Sequence, residues 1–170
     1  MAAEKVEKLQ EPYRSILLEL VRALQRRLGS SLVSVVVFGS VARGEARRDS
    51  DIDLLIVVEG LPRSRFRRQD IFMEVEGELQ SLIEEAEKLG YTIEFSPILK
   101  TPEEAARGSP LYLDMVEDAV ILYDKGGFFQ GILKRLAKRL EALGAERVKY
   151  GKLWYWRLKR DYRFGEVIEL

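Results

Sequence analysis

The chain of 170 residues contains no cysteine and no histidine. Without cysteine there can be no disulfide, no thiolate nucleophile and no thiolate zinc site. Without histidine there is no imidazole base, no Ser-His-Asp relay and no histidine-ligated metal. Any acid, base or metal ligand must be Asp, Glu, Lys, Tyr, a hydroxyl or the backbone, so a bound metal is expected to be a hard, oxygen-liganded cation such as magnesium. Long apolar runs are also missing. The run near the middle, Leu54 to Val58, is five residues long, far below the roughly 18 needed to cross a bilayer. The start, Met1-Ala2-Ala3-Glu4-Lys5, lacks the apolar segment of a signal peptide, and the expected location is the cytoplasm with no membrane contact. Neither charge sign dominates, with 28 basic and 28 acidic residues. Asparagine is absent while Glu, Lys and Arg abound, a composition typical of hyperthermophiles. What remains is 46% hydrophobic and 33% charged, enough for one folded domain with a sizeable core.

The balanced charge is unevenly placed. From Asp70 to Asp124 there are 14 acids and 3 bases, and from Lys125 to Arg163 there are 12 bases and 3 acids. Complementary halves, contacts between copies in a homo-oligomer, a charged partner and plain solvated faces all account for this. Hydrophobic spacing predicts a helix through Leu17, Leu20, Val21, Leu24 and Leu28, opened by Pro12 and closed by Gly29. Val33 to Phe38 reads as a buried strand, Gly39-Ser40 as its end followed by a short helical turn, and Asp51 to Val58 as a second strand. One helix is expected through Phe72, Val75, Leu79, Leu82, Ile83 and Ala86, ending at Gly90, then a third strand over Tyr91 to Ser96. Thr101 and Glu104 have the spacing of a capping box. A short fourth strand over Val120 to Tyr123 and a basic amphipathic helix over 129–143 follow. The order predicts an α/β (α+β) fold with a small mixed sheet flanked by helices. The expected division is a core over 1–125 and a basic, helical and aromatic C-terminal extension over 126–170 packed on it.

Chemistry concentrates between Phe38 and Val58. Gly39 permits a tight turn where the first strand ends, and Ser40 opens a helical turn whose free N–H groups can hold a phosphate, with Arg43 beside them. An N-cap serine explains the same residues without any ligand. Asp51 and Asp53 alternate onto one face of a strand, about 7 Å apart. Two such carboxylates repel unless neutralised, and a cation bridging them to nucleotide phosphates would do so. A turn position for Asp51, or pairing of the acids with Arg47 or Arg48, is the other reading.

The run Phe38-Gly39-Ser40-Val41-Ala42-Arg43-Gly44 through Ser50-Asp51-Ile52-Asp53-Leu54-Leu55-Ile56-Val57 resembles the nucleotidyltransferase superfamily of DNA polymerase beta, and within it the minimal, antitoxin-like group. The resemblance covers about twenty residues, and the flanking elements fit from Leu17 to Ser96. It implies a sheet of the polymerase beta type, with Gly39, Ser40 and Arg43 holding the triphosphate of a nucleotide, expected to be ATP. It implies two magnesium ions on Asp51 and Asp53, and a third carboxylate from a later strand that joins the metal site and activates the incoming hydroxyl, for which Glu94 is the candidate. Glu94 is longer than the aspartate more usual there; exposure on an open sheet face or an arginine partner would explain it equally well. The resemblance further implies transfer of AMP to a hydroxyl on a HEPN-type partner protein, acting as an antitoxin. Transfer to a small molecule or an RNA end, or partner binding without catalysis, are the alternatives. The tail from Lys152 to Phe164 interleaves aromatic and basic residues. That mixture can stack nucleobases, but packing over the core, closed by Val167, Ile168 and Leu170, is the expectation.

Overall fold

The computed structural model describes residues 2–151 and 153–170. Eight α-helices, α1 (Ala2–Glu7), α2 (Tyr13–Leu28), α3 (Gly39–Arg43), α4 (Arg65–Gly77), α5 (Gln80–Lys88), α6 (Pro102–Ala106), α7 (Tyr112–Asp118) and α8 (Phe128–Leu143), are described around a four-stranded sheet. Its strands are β1 (Leu32–Phe38), β2 (Ile52–Val58), β3 (Phe95–Lys100) and β4 (Val120–Asp124), in the order β3-β2-β1-β4. The pairs β1–β2 and β1–β4 are antiparallel and β2–β3 is parallel, so the sheet is mixed. A separate hairpin joins β5 (Glu146–Tyr150) to β6 (Leu153–Arg157).

Both faces of the sheet are covered, because the central strands are apolar at nearly every position. Ile52, Leu54, Ile56 and Val58 of β2 face one core with Leu17, Leu20 and Leu24 of α2, Phe72 and Val75 of α4, and Ile83 and Ala86 of α5. Leu55 and Val57 face a second core with Ala105, Tyr112, Met115, Phe129 and Ile132. Each fully buried aliphatic or aromatic side chain contributes about 1.5–3 kcal/mol, and the two cores lock the central strands into register. A one-residue slip would exchange their two faces. Among the described residues no helix is long and apolar enough to cross a membrane.

Two expectations need correction. The third strand is not Tyr91 to Ser96 but Phe95–Lys100. The alternation is real, since Tyr91, Ile93 and Phe95 all face the first core, but residues 91–94 precede the strand and Thr92 N–H donates to Arg48 O instead (2.7 Å). Pro97 is tolerated because β3 is an edge strand. Ile52 N–H donates to Glu94 O, so Glu94, Ser96 and Ile98 point their backbone groups toward β2 while Pro97 turns its nitrogen outward. The helix expected over 72–86 is two, α4 and α5, broken at Glu78 and Leu79. Gly77, a poor helix former, ends the first of them. Residues 146–157 form the hairpin, with Gly151 (φ +61°) beside its turn. Phe164 and Val167 are exposed, Ile168 and Leu170 line a groove with Tyr112, Ile132 and Leu136, Arg139 Nε donates to Glu169 O (3.0 Å), and Lys152 lies outside the described residues. The hairpin carries both tryptophans, Trp154 and Trp156. Arg147 ties it to α7 through Glu117 (2.9 Å) and Asp118 (2.7 Å) and stacks on Trp154.

Candidate nucleotide site

Where β1 runs out, Gly39 takes φ +70° and α3 begins. Its first N–H groups have no acceptor within the helix. Gly44, in the left-handed conformation, ends the helix one turn later with its N–H donating to Ser40 and Val41 carbonyls. The loop from Gly44 to Ser50 returns the chain to β2 and is held at several points. Tyr13 OH donates to Arg47 O (2.6 Å), Arg47 N–H donates to Ser50 Oγ (2.8 Å), and Arg48 donates to Leu89 O (3.3 Å) while stacking on Tyr91. These contacts fix the register at which β2 starts, and so the position of its acids.

Asp53 lies opposite Phe38 of β1 and Ser96 of β3. It is half-buried, while Asp51, just before the strand, is exposed. The Asp53 carboxylate leans onto the Gly39 corner so closely that a Cβ at residue 39 would stand 2.2 Å from its Oδ2. Glycine is therefore required there twice, by backbone angle and by space. Of the two acids expected beside the glycine-serine corner, Asp53 lies against Gly39 and Asp51 is exposed just before the strand.

The electrostatics of the acids are unusual. Burial, followed by the neighbouring Asp51 charge, pushes the Asp53 pKa above the ordinary aspartate value, against a smaller downward pull from Arg43. Neither carboxylate forms an ion pair among the described residues. Arg43 instead bonds Glu45 (2.9 Å) at the end of α3, and Arg48 is turned to Leu89 and Tyr91. The reading in which arginines neutralise the acid pair does not describe this structure. Two adjacent, unneutralised carboxylates with oxygen-only donors fit a hard cation that they would share with a ligand. No group of three or more acidic side chains suited to a metal is gathered among the described residues, so the protein offers no closed cage.

Glu94 is exposed and sits immediately before β3. Because Ile52 is opposite Phe95, continuing the parallel register by one residue sets Glu94 beside Asp51, on the sheet face that also carries Asp53 and Ser96. Gly39, Ser40, Arg43 and Asp53 thus come together at one corner, with Asp51 at its rim and Glu94 just ahead of the neighbouring strand. Sequence reasoning missed the pinning role of Tyr13. Only its place in the first turn of α2 signals it, and the helical stripe gave it no special status.

Comparison with known proteins adds an independent line. The sequence profile of the nucleotidyltransferase domain matches residues 17–123. A Methanocaldococcus jannaschii protein named "Putative protein adenylyltransferase MJ1305" is 30% identical over 144 residues, spanning 82% of this chain and 92% of that protein. A Thermococcus cleftensis protein, "Protein adenylyltransferase MntA", is 38% identical over 73 residues, spanning 43% of this chain and 67% of the other. A solved structure of a toxin-antitoxin MntA-HpeT mutant superposes with a TM-score of 0.43 at 14% identity, covering 74% of this chain and 86% of that one.

Proposed function

This chain belongs to the nucleotidyltransferase domain family, so its substrate is a nucleotide, and we propose that it moves AMP from ATP to a hydroxyl on a partner protein of the HEPN type, as an antitoxin. The observation that carries the reading is the closeness of the Asp53 carboxylate to the Gly39 corner, which sets an acid without an ion pair at the start of α3. The two relatives named as protein adenylyltransferases support AMP as the transferred group and a protein as the acceptor.

In this reading the backbone at Gly39 and Ser40, with the Ser40 hydroxyl and Arg43, holds the triphosphate. Asp51 and Asp53 would hold two magnesium ions, which when bound supply charge neutralisation for the acids and the phosphates. The acceptor oxygen attacks the α-phosphorus as the bond to the bridging oxygen breaks, and pyrophosphate leaves in line. Glu94, at the rim of the same face, orients the acceptor hydroxyl and takes its proton. Arg43 faces the departing charge. Most of the rate comes from positioning and fixed charge, so the absence of histidine is no handicap.

The test is incubation with magnesium and α-labelled ATP in the presence of a HEPN-type protein, of small hydroxylated compounds and of RNA. Label on the protein is the expected result. It should vanish with Asp53→Asn and Asp51→Asn and fall with Glu94→Gln, while circular dichroism stays unchanged. Label on RNA or on a small molecule instead, or nucleotide binding without transfer, would overturn it.

A further inference from the structure

Helix α4 begins against its own electrostatics. The positive end of a helix favours acids in its first turn, yet the sequence there is Arg63-Ser64-Arg65-Phe66-Arg67-Arg68 and the first turn holds no acid. Only Arg68 is neutralised. It is buried, grips Glu104 through both terminal nitrogens (2.7 and 2.9 Å), and donates to Leu99 O and Pro62 O. Arg63, Arg65 and Arg67 are exposed and have no ion pair among the described residues. A fold that violates a local rule without an internal compensation is commonly reserving it for a ligand.

Arg63 and Arg65, though not Arg67, border a cavity of about 530 Å³ between α4, α6 and the outer edge of β3, a size suited to a small group or an inserted side chain. Arg63, Arg65, Arg68 and Lys100 line it, and its sole acid, Glu104, is committed to Arg68. Lys100 lies over the Tyr112 ring at 5.1 Å with no carboxylate in ion-pair reach among the described residues; burial lowers its pKa against a smaller upward pull from Glu104. The position is informative. The Gly39 corner flanks the acids on the β1 side, and β3 flanks them on the other. An in-line displacement brings the attacking group in opposite the leaving pyrophosphate, so the β3 side is the acceptor's. The floor of the cavity runs beside Leu54 to Val57, reaching about 13 Å along the strand from Asp53.

We propose that this cavity is an acceptor-side subsite, in which Arg63, Arg65 and Lys100 bind a carboxylate side chain of the protein that receives the nucleotide, flanking the reacting hydroxyl. The assignment rests on the reading that the acceptor is a protein. The cations surround a single concavity rather than a stripe, no aromatic side chain lines it, and the chain carries no net charge, all of which disfavour a nucleic-acid track. Guanidinium forks suit a carboxylate.

Fluorescence anisotropy without nucleotide tests the subsite separately from the chemistry. The probes are a labelled peptide with a central tyrosine flanked by glutamates, its twin with glutamines, and an oligouridylate. The full-length protein should bind the glutamate peptide about tenfold or more tighter than the glutamine twin. Arg63→Gln/Arg65→Gln should abolish that preference with an unchanged or higher Tm, since both residues are exposed and oppose the helix dipole. Lys134→Gln/Lys138→Gln on the exposed face of α8 should retain it. Absence of the preference, its survival in the arginine variant, or tighter arginine-dependent binding of oligouridylate would overturn the subsite. Label transfer from ATP to a HEPN-type protein is scored independently: a carboxylate preference without any transfer overturns the catalytic reading and with it the acceptor-side assignment, leaving only a carboxylate-binding cavity.

Discussion

At residue 39 a single hydrogen decides whether the site exists. Replacing Gly39 by alanine forces an L-residue to φ +70° and sets a methyl group against the Asp53 carboxylate. The backbone angle alone costs about 1–2 kcal/mol, and the collision adds to it. Gly39→Ala should therefore lower the urea midpoint and reduce nucleotide transfer to background. In an Asp53→Ala background the collision part should disappear, leaving only the backbone cost, which a double-mutant cycle measures. Asp53 has its own signature. Its folded-state pKa is raised by burial and by Asp51, so the folded protein binds this proton more tightly than the unfolded chain. The stability it contributes is present below the ordinary aspartate value of 3.8 and is lost as the pH rises through the raised value. Asp53→Asn, which cannot ionise, should then be more stable than the parent at neutral pH without ligand, and the gap should close in acid. Denaturant titrations across pH check this, and a gap independent of pH would contradict it.

Among the elements, α4 and α6 are clipped over the edge of β3 by one pair. Glu104 completes the capping box with Thr101 and receives Arg68, and the guanidinium followed by the Thr101 N–H brings its pKa down to about 2. A depressed carboxylate stabilises the fold above its unfolded pKa and loses that contribution as the pH falls through the folded value. The parent should thus lose stability between about 4.5 and about 2, and Glu104→Gln should show a shallower loss over that window. Arg68→Ala strands Glu104 and two carbonyls and should cost about 3 kcal/mol by thermal or urea unfolding. The capping box was legible in the sequence because Thr101 and Glu104 are three residues apart and their bonds are local. So was the corner of the site, since Gly39, Ser40, Asp51 and Asp53 flank one short connection whose strands must pair. What escaped was set by tertiary context. The break between α4 and α5 is invisible to periodicity, because Phe72, Val75, Leu79, Ile83 and Ala86 keep a helical spacing across it. The extent of β3 was hidden by Pro97, whose acceptability depends on that strand lying at the sheet edge. The clustering of Arg63, Arg65 and Lys100 joins residues far apart in sequence, and no local pattern announces it.

For the molecule as a whole, the Gly39 corner and both cores lie before α8 ends, and the hairpin is tied to α7 by Arg147. Arg147→Ala should release the hairpin while leaving the sheet folded, read as increased hydrogen exchange in residues 146–157 against unchanged protection in β1 and β2. The location of the two tryptophans makes this molecule its own two-channel reporter. Indole emission comes wholly from β6, whereas far-ultraviolet dichroism is dominated by the helices around the sheet. A heated sample in which the emission shifts well before the dichroism collapses would be undocking its tail with an intact enzyme beneath, and a partner that grips the tail would announce itself by a spectral change before any nucleotide is spent.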